Sequence, residues 1–170
     1  MDNQKVLIAY ATVGGSTEEI AQEMAQVVRS GGIRVDVSPA SEVGSLETYD
    51  AVILGTPIYM GQPRKEIKEL VDREAAVLKS KSVHTFAVSG TIKDGKPETR
   101  GTIEDALAPL NEMVGAVRSE VFAGRIRYKS VSLLFRTIAK AMKAEEGDWR
   151  DWNAIRAWAG GVAVSQSVTA

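Results

Sequence analysis

The run Lys5-Val6-Leu7-Ile8-Ala9-Tyr10-Ala11-Thr12-Val13-Gly14-Gly15-Ser16-Thr17-Glu18-Glu19-Ile20-Ala21 decides how the chain reads. Val6 to Tyr10 is an unbroken apolar run, too short for a helix and rich in β-formers, and it predicts a strand buried on both faces. Thr12 to Thr17 then sets hydroxyls beside glycines, and Glu18-Glu19-Ile20-Ala21 opens a helical pattern with acids in its first turn. Glycines let successive backbone N–H groups converge, hydroxyls add donors, and the unpaired amides and dipole of a helix N-terminus favour negative charge. Such a loop can cradle an anion. The pattern G-x-x-x-x-G-K-[ST] is absent, which argues against a nucleoside triphosphatase, and G-x-G-x-x-G is absent, which argues against a dinucleotide site. The simpler reading of the same stretch is a turn whose glycines only make the bend and whose Ser16 or Thr17 caps the helix.

The pattern repeats downstream. Ile20, Met24, Val27 and Val28 stand at helical spacing until Gly31-Gly32 stops them. Residues 33–37 alternate apolar and polar, as a strand nearer a sheet edge does, and residues 38–49 read as a polar connector. Residues 50–55 predict another buried strand, followed by a second loop, Thr56-Pro57-Ile58-Tyr59-Met60-Gly61-Gln62-Pro63. It is unusually apolar for a connection, and apolar loops at strand ends have something to pack against, either a ligand or the core itself. Pro63 marks a helix start, with Ile67, Leu70, Val71 and Leu78 as its apolar face to about Lys79. Residues 82–88 form the next strand, whose His84 reads as a hydrogen-bonded structural residue. A third, polar loop opens with Ser89-Gly90-Thr91. Residues 102–113 predict a helix and residues 117–123 a last strand.

Strands alternating with helices predict an α/β fold, with five βα units around a parallel sheet and right-handed crossovers. Ligands of such sheets bind beyond the strand C-termini. The three loops all follow strand C-termini, so they converge on one crevice.

Composition narrows the chemistry. The 170 residues carry 44% hydrophobic and 25% charged side chains, as one soluble domain spanning 1–170 would. With no cysteine and one histidine, thiol nucleophiles, disulfides and thiolate or histidine metal sites drop out. A formal net charge of −1 gives no reason to expect nucleic acid as partner. No secretory pattern and no membrane-length apolar run is evident, so a cytoplasmic location is expected.

The segment from about 125 to 147 interrupts the regular plan as a basic helical insertion. Arg125, Arg127, Lys129, Arg136, Lys140 and Lys143 occur with no acid among them, and Val131, Leu134, Phe135, Ile138 and Met142 share one helical face. This basic amphipathic helix either caps the core or docks an anionic surface. Trp149 to Ala163 then predicts the final helix, packing through Trp152, Ile155 and Trp158-Ala159.

With its first loop, apolar-aromatic second loop and five βα units, the chain resembles the flavodoxin family across almost its whole length. The resemblance implies a three-layer sandwich with sheet order 2-1-3-4-5 and helices on both faces. It also implies non-covalent FMN, with the phosphate at Thr12, Val13, Gly14, Gly15, Ser16 and Thr17. The flavin ring would lie between Thr56, Pro57, Ile58, Tyr59, Met60 and Gly61 on one side and Ser89, Gly90 and Thr91 on the other, with Tyr59 as the stacking aromatic. Gly14 stands where the family usually has a hydroxyl residue. More narrowly, the insertion and the following Asp151-Trp152 are similar to those of the menaquinone-dependent protoporphyrinogen IX dehydrogenases. That implies a quinone or redox-protein partner, a tetrapyrrole substrate, and contact between residues 125–143 and the inner face of the cell membrane.

A receiver-type signalling domain shares this topology but needs an acid cluster after the first strand and an Asp ending the third. Ala9-Tyr10-Ala11 and Leu54-Gly55-Thr56 stand there instead. Two readings stay open: a soluble FMN electron carrier, and an FMN enzyme oxidising a porphyrinogen and reducing a quinone.

Overall fold

The computed structural model describes residues 4–168. Strand β1 (Lys5–Tyr10) lies inside a parallel sheet, next to its edge strand β2 (Arg34–Pro39), with β3 (Ala51–Tyr59), β5 (Ser82–Ser89) and β6 (Arg118–Ala123), in the order β2-β1-β3-β5-β6. This is the expected order 2-1-3-4-5, renumbered because a two-residue strand, β4 (Gln62–Pro63), pairs antiparallel with the end of β3.

Alternation along the strands feeds two separate cores. Leu7, Ala9, Val52 and Leu54 face one side, where α2 (Lys65–Arg73), α3 (Ala75–Leu78) and α4 (Pro97–Val114) bring Ile67, Leu70, Leu78, Ile103 and Leu107. Val6, Ile8, Ile53 and Phe86 face the other, where α1 (Ser16–Ser30) and α6 (Trp152–Val168) bring Ile20, Met24, Ile155 and Trp158. Each fully buried aliphatic side chain contributes about 1.5–3 kcal/mol, and the inner strand β1 is apolar on both faces while the edge strand β2 keeps Arg34 and Asp36 exposed.

Several boundaries differ from the sequence reading. Residues 56–59 are not loop: β3 continues through Tyr59, and Met60 and Gly61, both at positive φ, turn it back into β4. The connector at 38–49 is only partly polar, since Ala40, Val43 and Leu46 join the core. The helix expected to run to Lys79 is split at Glu74 into α2 and α3. Helix α4 begins five residues earlier than expected, with Pro97 in its first turn, where the missing N–H has no intrahelical partner to lose. Trp149 precedes α6, and its backbone N–H donates to the Gly124 carbonyl at 3.1 Å.

The insertion is a small unit of its own. Strands β7 (Arg125–Ile126) and β8 (Gly147–Asp148) pair antiparallel and close its base, and α5 (Leu133–Ala141) projects from it over the C-terminal ends of the sheet strands. None of the nine residues of α5 is fully buried.

Candidate flavin site

The first loop is shaped by backbone. Gly15 takes φ +89°, a left-handed conformation that a side chain would strain, and it stands at the N-cap of α1. Its N–H donates to Thr12 Oγ1 at 2.9 Å. Neither Ser16 nor Thr17 caps the helix, so the turn-only reading leaves their hydroxyls without that task. Thr17 is 1% exposed, and its Oγ1 has no hydrogen-bond partner among the described residues. An unsatisfied buried hydroxyl costs about 1–3 kcal/mol, so a partner is missing from the protein's own atoms.

The second loop is an extended strand end with a tight turn. Thr56 is wholly buried, and its hydroxyl accepts from the Arg64 N–H at 2.9 Å while donating to the Pro57 carbonyl at 2.9 Å. That pins the hairpin to the start of α2. Tyr59 presents its ring to Phe135 of α5, edge to face, with centroids 5.0 Å apart and planes at 80°. In the third loop the Ser89 hydroxyl accepts from Thr91 N–H at 3.2 Å and pairs with the Thr91 hydroxyl at 2.8 Å. Gly90 allows a close approach: a Cβ there would meet Ile126 Cδ1 at 2.5 Å.

These loops and the insertion enclose a cavity of about 410 Å³. Of the residues singled out from sequence, Val13, Gly14, Ser16, Thr17, Pro57, Ile58, Tyr59, Met60, Ser89, Gly90 and Thr91 line it. Thr12, Gly15, Thr56 and Gly61 do not; the first three hold loop geometry from behind through the contacts above, and Gly61 makes the turn. The far wall comes from the insertion, whose residues the sequence reading did not count among the flavin contacts. Arg125, Tyr128, Val131, Phe135, Ile138 and Met142 line the cavity too. The apolar stripe was the available signal, but two of its members are largely exposed: Leu134, at 68%, stays off the cavity, and Met142, at 67%, only borders it. Arg136 donates through Nε to the Tyr128 carbonyl at 3.0 Å, and Lys129 is exposed outside the cavity lining.

A polar cluster joins the insertion to the first helix. Arg125 Nη1 donates to both Glu19 oxygens at 2.8 and 3.0 Å, and Arg150 Nη1 reaches the same carboxylate at 2.5 Å. Burial would raise the Glu19 carboxyl, but the hydrogen bonds from Arg150 and Arg125 outweigh it and hold the pKa below the ordinary range. Tyr128 ties down the helical arm, its hydroxyl donating to the Ala144 carbonyl and its N–H donating to Glu146 at 2.8 Å. Lys93 of the third loop reaches Glu145 at 2.5 Å.

A parallel sheet with a glycine–hydroxyl loop at its switch point, an apolar strand end and a polar third loop define a flavin-binding redox domain. Residues 7–153 match the flavodoxin domain family, and the chain belongs to it. Over 152 residues it is 28% identical to a protoporphyrinogen IX dehydrogenase [quinone] of Escherichia coli strain K12, covering 86% of this chain and 83% of that protein. It is 25% identical over 154 residues to an NAD(P)H dehydrogenase (quinone) of Paracoccus denitrificans, covering 75% and 74%. Its fold is that of a flavodoxin of Streptococcus pneumonia TIGR4, with a TM-score of 0.63 at 18% identity over 98% of this chain and 99% of the other.

FMN is the cofactor that membership indicates, and the cavity suits it. Thr17 Oγ1, Tyr59 Oη and Arg125 Nε are buried without hydrogen-bond partners among the described residues, and all three residues line the cavity. A phosphate with several acceptor oxygens would suit Thr17 Oγ1, and a flat, largely apolar ring would suit Pro57, Ile58 and Tyr59. When bound, the flavin supplies electron transfer in single or paired steps.

Proposed function

We propose that this chain is an FMN-dependent oxidoreductase whose electron acceptor is a quinone reaching the cavity from a lipid surface. Ser16, Thr17 and the backbone of Val13 to Ser16 hold the phosphate. Pro57 to Met60 and Ser89 to Thr91 flank the ring. The single observation that carries the enzyme reading over the carrier reading is the wall of the insertion, with Phe135 against Tyr59 and Val131, Ile138 and Met142 beside it. A carrier handing electrons to another protein needs its cofactor edge within reach of a docking surface. An apolar wall at the mouth serves instead to admit a flat apolar reactant and keep water out.

Two further features support a lipid-borne acceptor. Leu133 and Leu134 of α5 and Met60 at the hairpin tip are exposed, next to elements that line the cavity, and Lys129, Lys140 and Lys143 are exposed on the same arm. Apolar side chains among cations suit the surface of an anionic bilayer, where each nearby Lys or Arg is worth about 1 kcal/mol. No helix among the described residues is long and apolar enough to cross a membrane, so such contact would be peripheral. The relatives from E. coli and P. denitrificans both carry quinone in their names. Protoporphyrinogen as electron donor is a second reading, supported by the E. coli relative and by Arg127 on the cavity wall as a partner for propionates.

The test is to load the purified protein with FMN, reduce it without oxygen, and mix it with a soluble naphthoquinone or with a protein acceptor such as a cytochrome. Reoxidation that is fast and saturable with the naphthoquinone is expected. Reoxidation by the protein acceptor alone would return the chain to the carrier class. Protoporphyrinogen should reduce the oxidised protein if the second reading holds.

A further inference from the structure

Arg125 sits at the root of the insertion, opposite Asp148 in the β7–β8 pair, and its side chain reaches back to the first loop. Nη2 stands 3.4 Å from the Gly14 carbonyl oxygen and 3.7 Å from where a Cβ on Gly15 would lie. The side chain is 10% exposed, it lines the cavity, and its Nε is buried with no partner. Nη1 is therefore committed to Glu19 and one Nη2 N–H weakly to Gly14, which leaves the Nε–H and the second Nη2 N–H.

Charge sharpens the point. Arg150 takes both oxygens of Asp148, through Nε at 2.8 Å and Nη2 at 2.6 Å, while also drawing on Glu19. Two guanidiniums thus face two carboxylates, and the cluster is balanced as it stands. A phosphate monoester brings about two more negative charges. A loop of amides and hydroxyls offers it donors but no opposite charge, and Arg125 is a cation already in contact with that loop. A guanidinium meets phosphate oxygens through paired, charge-assisted hydrogen bonds.

We propose that Arg125 recognises the FMN phosphate, adding a cationic partner to the backbone cradle at Gly14 to Thr17 and tying phosphate occupancy to the seat of the insertion. The proposal rests on the FMN reading above and concerns which group selects the phosphorylated flavin. Through Arg125 the site discriminates FMN from riboflavin, which has the same ring and no phosphate.

The experiment titrates FMN and riboflavin into apoprotein, following flavin fluorescence, for wild type, Arg125→Gln and Arg125→Lys at low and moderate salt. Melting curves of the apoproteins establish that each variant is folded. Wild type should prefer FMN; a wild type that binds both flavins alike would sink the FMN site itself rather than Arg125. Arg125→Gln should lose about tenfold or more in FMN affinity, the size of one charge-assisted bond, with riboflavin unchanged. Arg125→Lys should recover part of the loss, with a salt dependence that Arg125→Gln lacks. Equal losses for both flavins in Arg125→Gln would make the residue a structural tie. An FMN to riboflavin ratio unchanged in both variants would overturn the proposal.

Discussion

The first loop and the insertion wall the same cavity, and they are built in opposite ways. The loop is backbone held close to its own helix: Gly15 at φ +89°, its N–H on the Thr12 hydroxyl, and Ser16 and Thr17 in the first turn of a helix whose Ile20 and Met24 are wholly buried. The insertion is side chain held by side chain. Helix α5 buries none of its residues, and the arm is fastened by Tyr128, the Lys93–Glu145 pair, the Arg125–Glu19 pair and a cation–π contact of Arg64 with Phe135 at 5.6 Å. Exposed pairs such as Lys93–Glu145 contribute about 0–1 kcal/mol each. An element resting on them opens far below the free energy of global unfolding. The fold therefore supplies a rigid half that shapes the cofactor site and a loosely held half that controls access to it.

The largest effect should come from breaking the rigid half. Gly15→Asp adds backbone strain at a left-handed residue and places a carboxylate by the phosphate, so FMN affinity should fall more than about a hundredfold. Fluorescence titration checks it, and retained affinity would place the phosphate elsewhere.

Acid should also act on the sheet. His84 has no exposed surface, lies 3.3 Å from Ser82 Oγ through Nε2, and meets Trp158 edge to face at 6.4 Å. Burial, and then the nearby Arg118, lowers its pKa from 6.5 to about 4. The folded value lies below the unfolded one, so between them the unfolded chain binds the extra proton. The stability that neutral His84 confers is complete above pH 6.5 and declines as pH falls toward 4, by about 3 kcal/mol in all. Urea midpoints across that range measure it. His84→Gln, if folded, should flatten the profile relative to wild type.

Changes in the loose half should spare the fold. Phe135→Ala removes the edge contact on Tyr59, worth about 0.5–1.5 kcal/mol beyond area burial, from a helix that the core does not need. The melting temperature should move little while quinone reduction kinetics change; a strongly destabilised variant would mean the arm is part of the core. The smallest effect belongs to the outer surface. Leu133→Glu with Leu134→Glu should weaken binding to vesicles containing anionic lipid by several-fold, with FMN content unchanged. Vesicle sedimentation reads this directly.

The contrast also explains what could be read from sequence. Val6 to Tyr10 and residues 51–54 are legible because both faces of those strands are buried and the apolar run is continuous. The first loop is legible because few residues other than glycine and hydroxyls build such a turn. Residues 56–59 read as loop because Pro57 and Gly61 resemble turn punctuation. Yet β1 stops pairing at Gly55, and past it β3 behaves like an edge strand, where proline is tolerated. Leu46 hides in a connector because a single wholly buried leucine has no period. In the insertion the six basic residues and the stripe were visible, but a nine-residue helix leaves the rotation of that stripe undetermined by pattern alone. Leu134 shares the stripe yet is exposed, and nothing in the pattern of six charges marks Arg125 as the one that reaches Gly14 and Glu19.

Amide hydrogen exchange, compared between apoprotein and FMN-loaded protein, tests the two-part cavity most directly. In the apoprotein the amides of β1 and β3 should exchange slowest and those of residues 127–146 fast. Loading with FMN should slow exchange at Ser16, Thr17, Tyr59, Gly90 and Thr91, and across residues 127–146 as well, because the arm closes on an occupied cavity. Protection at the three loops with none in the insertion would contradict the account, leaving the arm an appendage beside an open flavodoxin site.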